Sequence, residues 1–148
     1  MIEINNLVKR YGNTRAVNGI SFTVNDGEVL GFLGPNGAGK STTMNIITGY
    51  LSSTSGSVLV DGHDILEDPV AAKKNIGYLP ELPPLYFDMT VREYLNFVCD
   101  LKKVPSSERK AQINKILSMV HITDYADRLI GNLSKGYKQR VGMAQAMV

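Results

Sequence analysis

The sequence predicts an α/β fold: an N-terminal antiparallel β region, a strand–loop–helix unit rich in glycine, and a helical second half. Three observations carry this. Short β-type apolar runs fill the first third, Ile2 to Leu7 and Ile20 to Val24. The segment Gly34-Pro35-Asn36-Gly37-Ala38-Gly39-Lys40-Ser41 follows an apolar run and precedes a helical stretch. From Thr90 onward the apolar residues recur at helical spacing.

The chain has 148 residues, 43% hydrophobic and 20% charged, which is the composition of a packed domain. Sixteen Lys and Arg stand against 14 Asp and Glu, a net charge of +2. That balance gives no footprint for a nucleic-acid partner, and the pairs Lys73-Lys74 and Lys102-Lys103 read as solvated surface. The single cysteine, Cys99, excludes an internal disulfide and lies among Leu95, Val98 and Leu101, so a core thiol is expected. No run approaches the roughly 20 apolar residues that span a bilayer. The N-terminus has no apolar signal core, so a cytoplasmic chain is expected, working at a membrane only through a partner.

Taken in order, Tyr11-Gly12-Asn13 is a turn between the first two strands, and Asp26-Gly27 reads as a hairpin turn. Glu28 to Leu33 is a short buried-strand candidate. A helix begins near Lys40 and ends near Gly49, a suitable residue just past a helix end. Ser57 to Val60 is a strand closed by Asp61-Gly62, and Ile76 to Leu79 is another. Pro80, Pro83 and Pro84 then forbid regular structure. Thr90-Val91-Arg92-Glu93 forms a capping box, with Met89 and Tyr94 as a hydrophobic staple. Val91, Tyr94, Leu95 and Val98 define one helix face, and Ile113, Ile116, Leu117 and Val120 a second. A last helix starts at Ser134. Two regions are expected, 1–89 and 90–148.

Gly34 to Ser41 matches G-x-x-x-x-G-K-[ST]. Glycines permit backbone angles and close approaches that a Cβ forbids. The amides of such a loop, with the positive end of the following helix, point at phosphate oxygens. Lys40 would meet the β- and γ-phosphates, Ser41 would ligate Mg²⁺, and Thr42 would donate on the α-phosphate side. The phosphate-binding set is therefore Gly34, Pro35, Asn36, Gly37, Ala38, Gly39, Lys40, Ser41 and Thr42.

A second motif narrows the class. Leu133-Ser134-Lys135-Gly136-Tyr137-Lys138-Gln139-Arg140 resembles the signature motif of the ABC ATPase family, usually LSGGQ followed by QR. The resemblance covers essentially the whole chain and includes Ala16 to Phe22, Ser55-Gly56 and Asp61-Gly62 with Asp64. It implies a P-loop NTPase core with an antiparallel β region and a helical signature subdomain. It further implies ATP and Mg²⁺ as ligands, an ATPase that energises a membrane transporter, and a location at the inner face of the membrane. The implied partners are a second ATPase subunit, as in a homodimer, and integral membrane subunits. Ser134, Lys135 and Gly136 would meet the γ-phosphate held by the other subunit. Tyr11 stands where the family stacks an aromatic on adenine, although a tyrosine at a strand end needs no such role. Glu81 replaces the usual Gln of the Q-loop. A carboxylate there either ligates Mg²⁺ or simply faces water.

Pro80-Glu81 and the LSKGY spelling resemble the subset serving ABC-2-type, gliding-motility and sodium exporters. The alternative is a soluble, non-transport ABC-type regulatory or ribosome-associated ATPase. In the family, the Walker B strand, its aspartate, the catalytic glutamate and a switch histidine follow the signature helix. No apolar run followed by Asp-Glu occurs here, and His63 and His121 precede the signature, where turns or surface are expected. The chain by itself is therefore expected to stop short of Walker B, to hydrolyse ATP negligibly, and to expose Val29 to Leu33 in a way that favours self-association.

Overall fold

The structure, a computed structural model, describes residues 1–148 and divides into two compact units, Met1–Ile76 and Gly77–Val148. In the first unit β1 (Ile2–Tyr11) turns at Gly12-Asn13 into β2 (Thr14–Val24). Both strands run well beyond the apolar segments that mark them in the sequence. Polar residues such as Lys9, Arg10 and Arg15 extend the ladder, because pairing needs backbone only.

Helix α1 (Lys40–Ile47) follows the glycine loop, and β3 (Ser55–Val60) and β4 (His63–Asp64) complete a sheet of order β2-β1-β3-β4. All pairings are antiparallel. Ile4, Leu7, Val17, Val58 and Val60 of the sheet bury against Ile46 and Ile47 of α1. This is one apolar strand face closing over one helix stripe. Gly49, at φ +68, is the residue after the Thr48 C-cap, as its position in the sequence predicts.

Two expected strands are absent. Glu28–Leu33 and Ile76–Leu79 carry no regular structure. Val29 is 96% exposed and Leu33 is 92% exposed, because no strand of this chain pairs with them. Asp26-Gly27 does turn the chain, with the Glu28 amide on the Asn25 carbonyl at 3.1 Å, but it joins no two paired strands. A short helix not expected from periodicity, α2 (Pro69–Lys74), is capped by Asp68, whose carboxylate accepts from the Ala71 amide at 3.3 Å. The Asp-Pro pair was its signal.

The second unit holds α3 (Val91–Leu101), α4 (Ser106–Met119) and α5 (Lys135–Met147), joined by 3-10 turns at Thr123–Tyr125 and Ile130–Asn132. The two apolar faces read from the sequence meet here: Val91, Tyr94, Leu95 and Val98 pack with Ile113, Ile116, Leu117 and Val120. Cys99 is fully buried among them, and that burial pushes its thiol pKa up, so it stays a neutral core group. Residues 77–89 belong with the helices, which moves the division ahead of the 89/90 boundary. The Tyr94 hydroxyl donates to the Pro84 carbonyl at 3.2 Å, and Leu85 and Met89 pack on the helical core.

The capping box forms in full. The Glu93 amide donates to the Thr90 hydroxyl at 3.2 Å, and the Glu93 carboxylate accepts from the Thr90 amide at 2.8 Å and from its hydroxyl at 2.9 Å. The backbone bond from Thr90 comes first, and its hydroxyl second, in holding the Glu93 carboxyl below its ordinary value of 4.5. Its stabilisation is present above that ordinary value and is lost as pH falls through the lowered one. The melting-temperature gap between Glu93→Ala and the parent should therefore shrink on acidification through this window. A gap that stays constant with pH contradicts the assignment. Leu117→Ala should cost about 2–5 kcal/mol in chemical denaturation, because the residue is fully buried between two helix faces.

Candidate functional site

The glycine loop is built at a junction where the chain leaves no room. Gly39 is the N-cap of α1 with φ +88, in the left-handed region. A Cβ on it would stand 2.2 Å from the Ala16 carbonyl oxygen and 3.3 Å from Val17 Cγ2. Only glycine satisfies both the angle and the approach. Gly37, at φ +84, gives the loop a second left-handed turn, and the Ala38 amide closes it on the Pro35 carbonyl at 3.2 Å.

From this junction α1 starts cleanly. The first helical bond runs from the Thr43 amide to the Gly39 carbonyl at 2.8 Å, and the buried Thr43 hydroxyl donates to the same oxygen at 2.9 Å. The amides of Lys40, Ser41 and Thr42 precede that bond. No side chain caps them and no acidic residue lies in the first turn. The positive end of the helix is thus left for an outside anion. The Lys40 ammonium lies over the loop, donating to the Gly34 carbonyl at 2.5 Å and the Pro35 carbonyl at 2.7 Å. Amides, helix end and ammonium give one concentrated patch of positive potential with no internal carboxylate to neutralise it.

Gly34, Pro35, Asn36, Gly37, Ala38 and Ser41 are exposed, and Gly39, Lys40 and Thr42 are half-buried, so the loop is accessible along its length. Tyr11, 52% exposed, ends β1 with the Lys9 ammonium 5.4 Å from its ring centroid. It therefore presents an aromatic surface at the sheet end. Thr43 and the Ala16 carbonyl complete the junction, and neither was singled out from the sequence. The extra threonine after the lysine was a visible signal for Thr43. Nothing local marks Ala16, whose role comes from a contact distant in sequence.

The second candidate motif lies in the helical unit. Ser134 caps α5, its hydroxyl accepting from the Tyr137 amide at 3.4 Å, while the Lys138 amide bonds the Ser134 carbonyl at 2.9 Å. Ser134, Lys135 and Gly136 are all exposed. A Cβ on Gly136 would meet nothing within 4 Å. No contact inside this chain requires that glycine.

Behind the exposed tip, α5 is firmly seated. Lys138 donates to the Gly131 carbonyl at 3.1 Å, and Arg140 to the Val120 carbonyl at 2.9 Å. The Gln139 amide donates to the Glu81 carbonyl at 3.1 Å, and Gly142 lets Leu79 and Pro83 approach closer than any Cβ would permit. Glu81 itself is exposed, with its carboxylate toward solvent and its backbone tied to α5. Ser41 and Glu81, expected together as metal ligands, belong to different units. No three His, Cys, Asp or Glu side chains converge to hold a metal.

A family model described as ABC transporter matches residues 17–148. The chain belongs to the ABC transporter family. Among the relatives of this ABC transporter chain is the ABC transporter ATP-binding protein YxlF of Bacillus subtilis, 39% identical over 148 residues, covering all of this chain and 48% of that protein. A solved ATP-binding subunit of an ABC transporter superposes with TM-score 0.89 at 26% identity, over 98% of this chain and 60% of that one. The ABC transporter cassette MJ0796, solved as a dimer, gives TM-score 0.83 at 27% identity, over 99% and 68% respectively. This ABC transporter chain thus spans about half the length of the curated relatives it matches.

The geometry separates two kinds of glycine. Gly39→Ala drives a Cβ into the Ala16 carbonyl at a left-handed angle, and should lower stability by roughly 1–3 kcal/mol in denaturant unfolding. Gly136→Ala should be neutral or slightly stabilising, since its Cβ has open space on a helix. Equal losses from the two substitutions would contradict this account.

Proposed function

We propose that the loop Gly34–Thr42 binds the phosphates of ATP, and that the whole protein is the ATP-hydrolysing, energy-coupling subunit of a membrane ABC transporter. The observation that carries this reading is the α1 junction. A left-handed Gly39, uncapped first-turn amides and the Lys40 ammonium converge on one exposed loop. Each group has one task. The amides fix the phosphate oxygens in direction, Lys40 supplies a full positive charge, and Thr42 offers a further hydroxyl donor. Tyr11 offers an exposed ring for the adenine.

Ser41, at the start of α1, offers a hydroxyl oxygen to Mg²⁺, and the exposed Glu81, in the other unit, offers a carboxylate oxygen by itself. The ion would neutralise charge on the phosphate oxygens. Ser134, Lys135 and Gly136 form a second exposed helix end, open to an anion that another subunit holds. That arrangement calls for a homodimer in which each ATP lies between one glycine loop and the other copy's signature. The dimeric cassette among the solved relatives supports it. No helix of the chain is long and apolar enough to cross a membrane, and coupling to transport would run through integral membrane subunits. The chain would dock on them at the inner face. Pro80-Glu81 and Leu133-Ser134-Lys135-Gly136-Tyr137 favour an ABC-2-type export role.

Titration of a fluorescent ATP analogue, with and without Mg²⁺, tests the reading. Binding should appear and weaken by about tenfold or more, near 1.4 kcal/mol, in Lys40→Ala. Unchanged binding in Lys40→Ala, or none in the parent, would refute the assignment of the loop.

A further inference from the structure

The first turn of α5 is held from behind by an aromatic pair. Tyr137 stacks on Tyr125, ring centroids 4.1 Å apart and planes tilted by 33°. The neighbouring Tyr125 is the leading cause that keeps the Tyr137 pKa above the ordinary phenol value. Each ring also faces a guanidinium. Arg128 lies 4.9 Å from the Tyr125 centroid, and Arg140, one turn further along α5, lies 5.9 Å from that of Tyr137. Tyr125 is itself fixed, closing a 3-10 turn through its amide on the Ile122 carbonyl at 3.0 Å and accepting from the Arg128 amide at 3.0 Å.

The position of Tyr137 gives this anchor its consequence. Tyr137 is the third residue of α5, and its amide is the one that Ser134 caps. At 3.4 Å that cap is long, so the cap by itself defines the helix end weakly. The ring contacts supply the definition. They fix the rotation of the first turn about the helix axis, and with it the directions of the Ser134 hydroxyl and of the Lys135 and Gly136 amides. The exposed tip and the half-buried anchor therefore divide one task. Ser134, Lys135 and Gly136 face outward with nothing over them, and Tyr137 turns inward onto the Thr123–Tyr125 segment.

We propose that Tyr137, through its pairing with Tyr125, is a positioning residue that aims the Ser134–Gly136 helix end at the phosphate held by a second copy of the chain. The proposal rests on the reading of the two motifs given above. Tyr137 touches no nucleotide in this scheme. It acts through the orientation of its neighbours, so its loss should act on assembly around ATP and not on the glycine loop of the same chain.

Two measurements on the full chain separate these effects: affinity for a fluorescent ATP analogue, and ATP-dependent self-association by sedimentation velocity with Mg²⁺ present. Tyr137→Ala should keep analogue binding within about twofold and weaken the ATP-dependent association about tenfold or more. Tyr137→Phe keeps the ring and should restore most of that loss. Ser134→Ala, at the exposed tip, should weaken association as well. Unweakened association in Tyr137→Ala beside a weakened Ser134→Ala would overturn the positioning role and leave the reading of the motif intact. Equal losses of binding and association in Tyr137→Ala would also overturn it, as a purely structural defect. If neither variant affects association, or the parent shows none with ATP, the reading of the signature fails and the proposal with it.

Discussion

The contact between Gly39 and the Ala16 carbonyl is the constraint on which the first unit depends. It places the start of α1 against β2 at a separation that no side chain permits, and it sets the left-handed angle from which the helix departs. Everything attractive to an anion follows from that departure. The first-turn amides are left outside the helical bonding pattern, Thr43 doubles the bond to the Gly39 carbonyl, and Lys40 folds back over the loop onto the Gly34 carbonyl. A helix capped in the ordinary way by Ser or Asp would have satisfied those amides internally and left no site.

The helical unit solves a related problem by the opposite means. Its α5 end is capped by a side chain, yet the cap is long and the tip is bare. Order comes from contacts one turn deeper, where Tyr125, Arg140 to the Val120 carbonyl, and the close approach of Leu79 and Pro83 at Gly142 hold the helix. One consequence is that the Glu81 loop and α5 are bound to each other. Gln139 grips the Glu81 backbone while leaving the carboxylate free to solvent.

The apolar segment before the glycine loop shows what propensity alone does not achieve. Val29, Leu30, Phe32 and Leu33 have strand-forming character, yet they stay unpaired. A strand needs at least one backbone neighbour, and neither β2 nor β4, the two edges of this sheet, pairs with the segment. Part of the segment still finds apolar company. Leu30 and Phe32 line an open cavity of 190 Å³ with Phe22, Met44 and Ile47, and the Phe22 and Phe32 rings lie 5.6 Å apart.

The sequence by itself determined the elements whose causes are local. The turn at Gly12-Asn13, the α1 start and its Gly49 end, the Thr90–Glu93 capping box, the two apolar helix faces and the Ser134 cap were all legible, because each is written in residues within one or two turns of each other. So was the family, through two motifs in the right order. The tertiary structure alone decided what depends on partners far along the chain. It left residues 28–33 without a strand, made the sheet antiparallel throughout, and moved residues 77–89 onto the helices through Pro84 and Leu85. It also set Ala16 against Gly39 and Tyr125 against Tyr137. No local pattern encodes such pairings, because backbone bonding and ring packing are fixed by which surfaces meet, and that is settled only when the chain closes on itself.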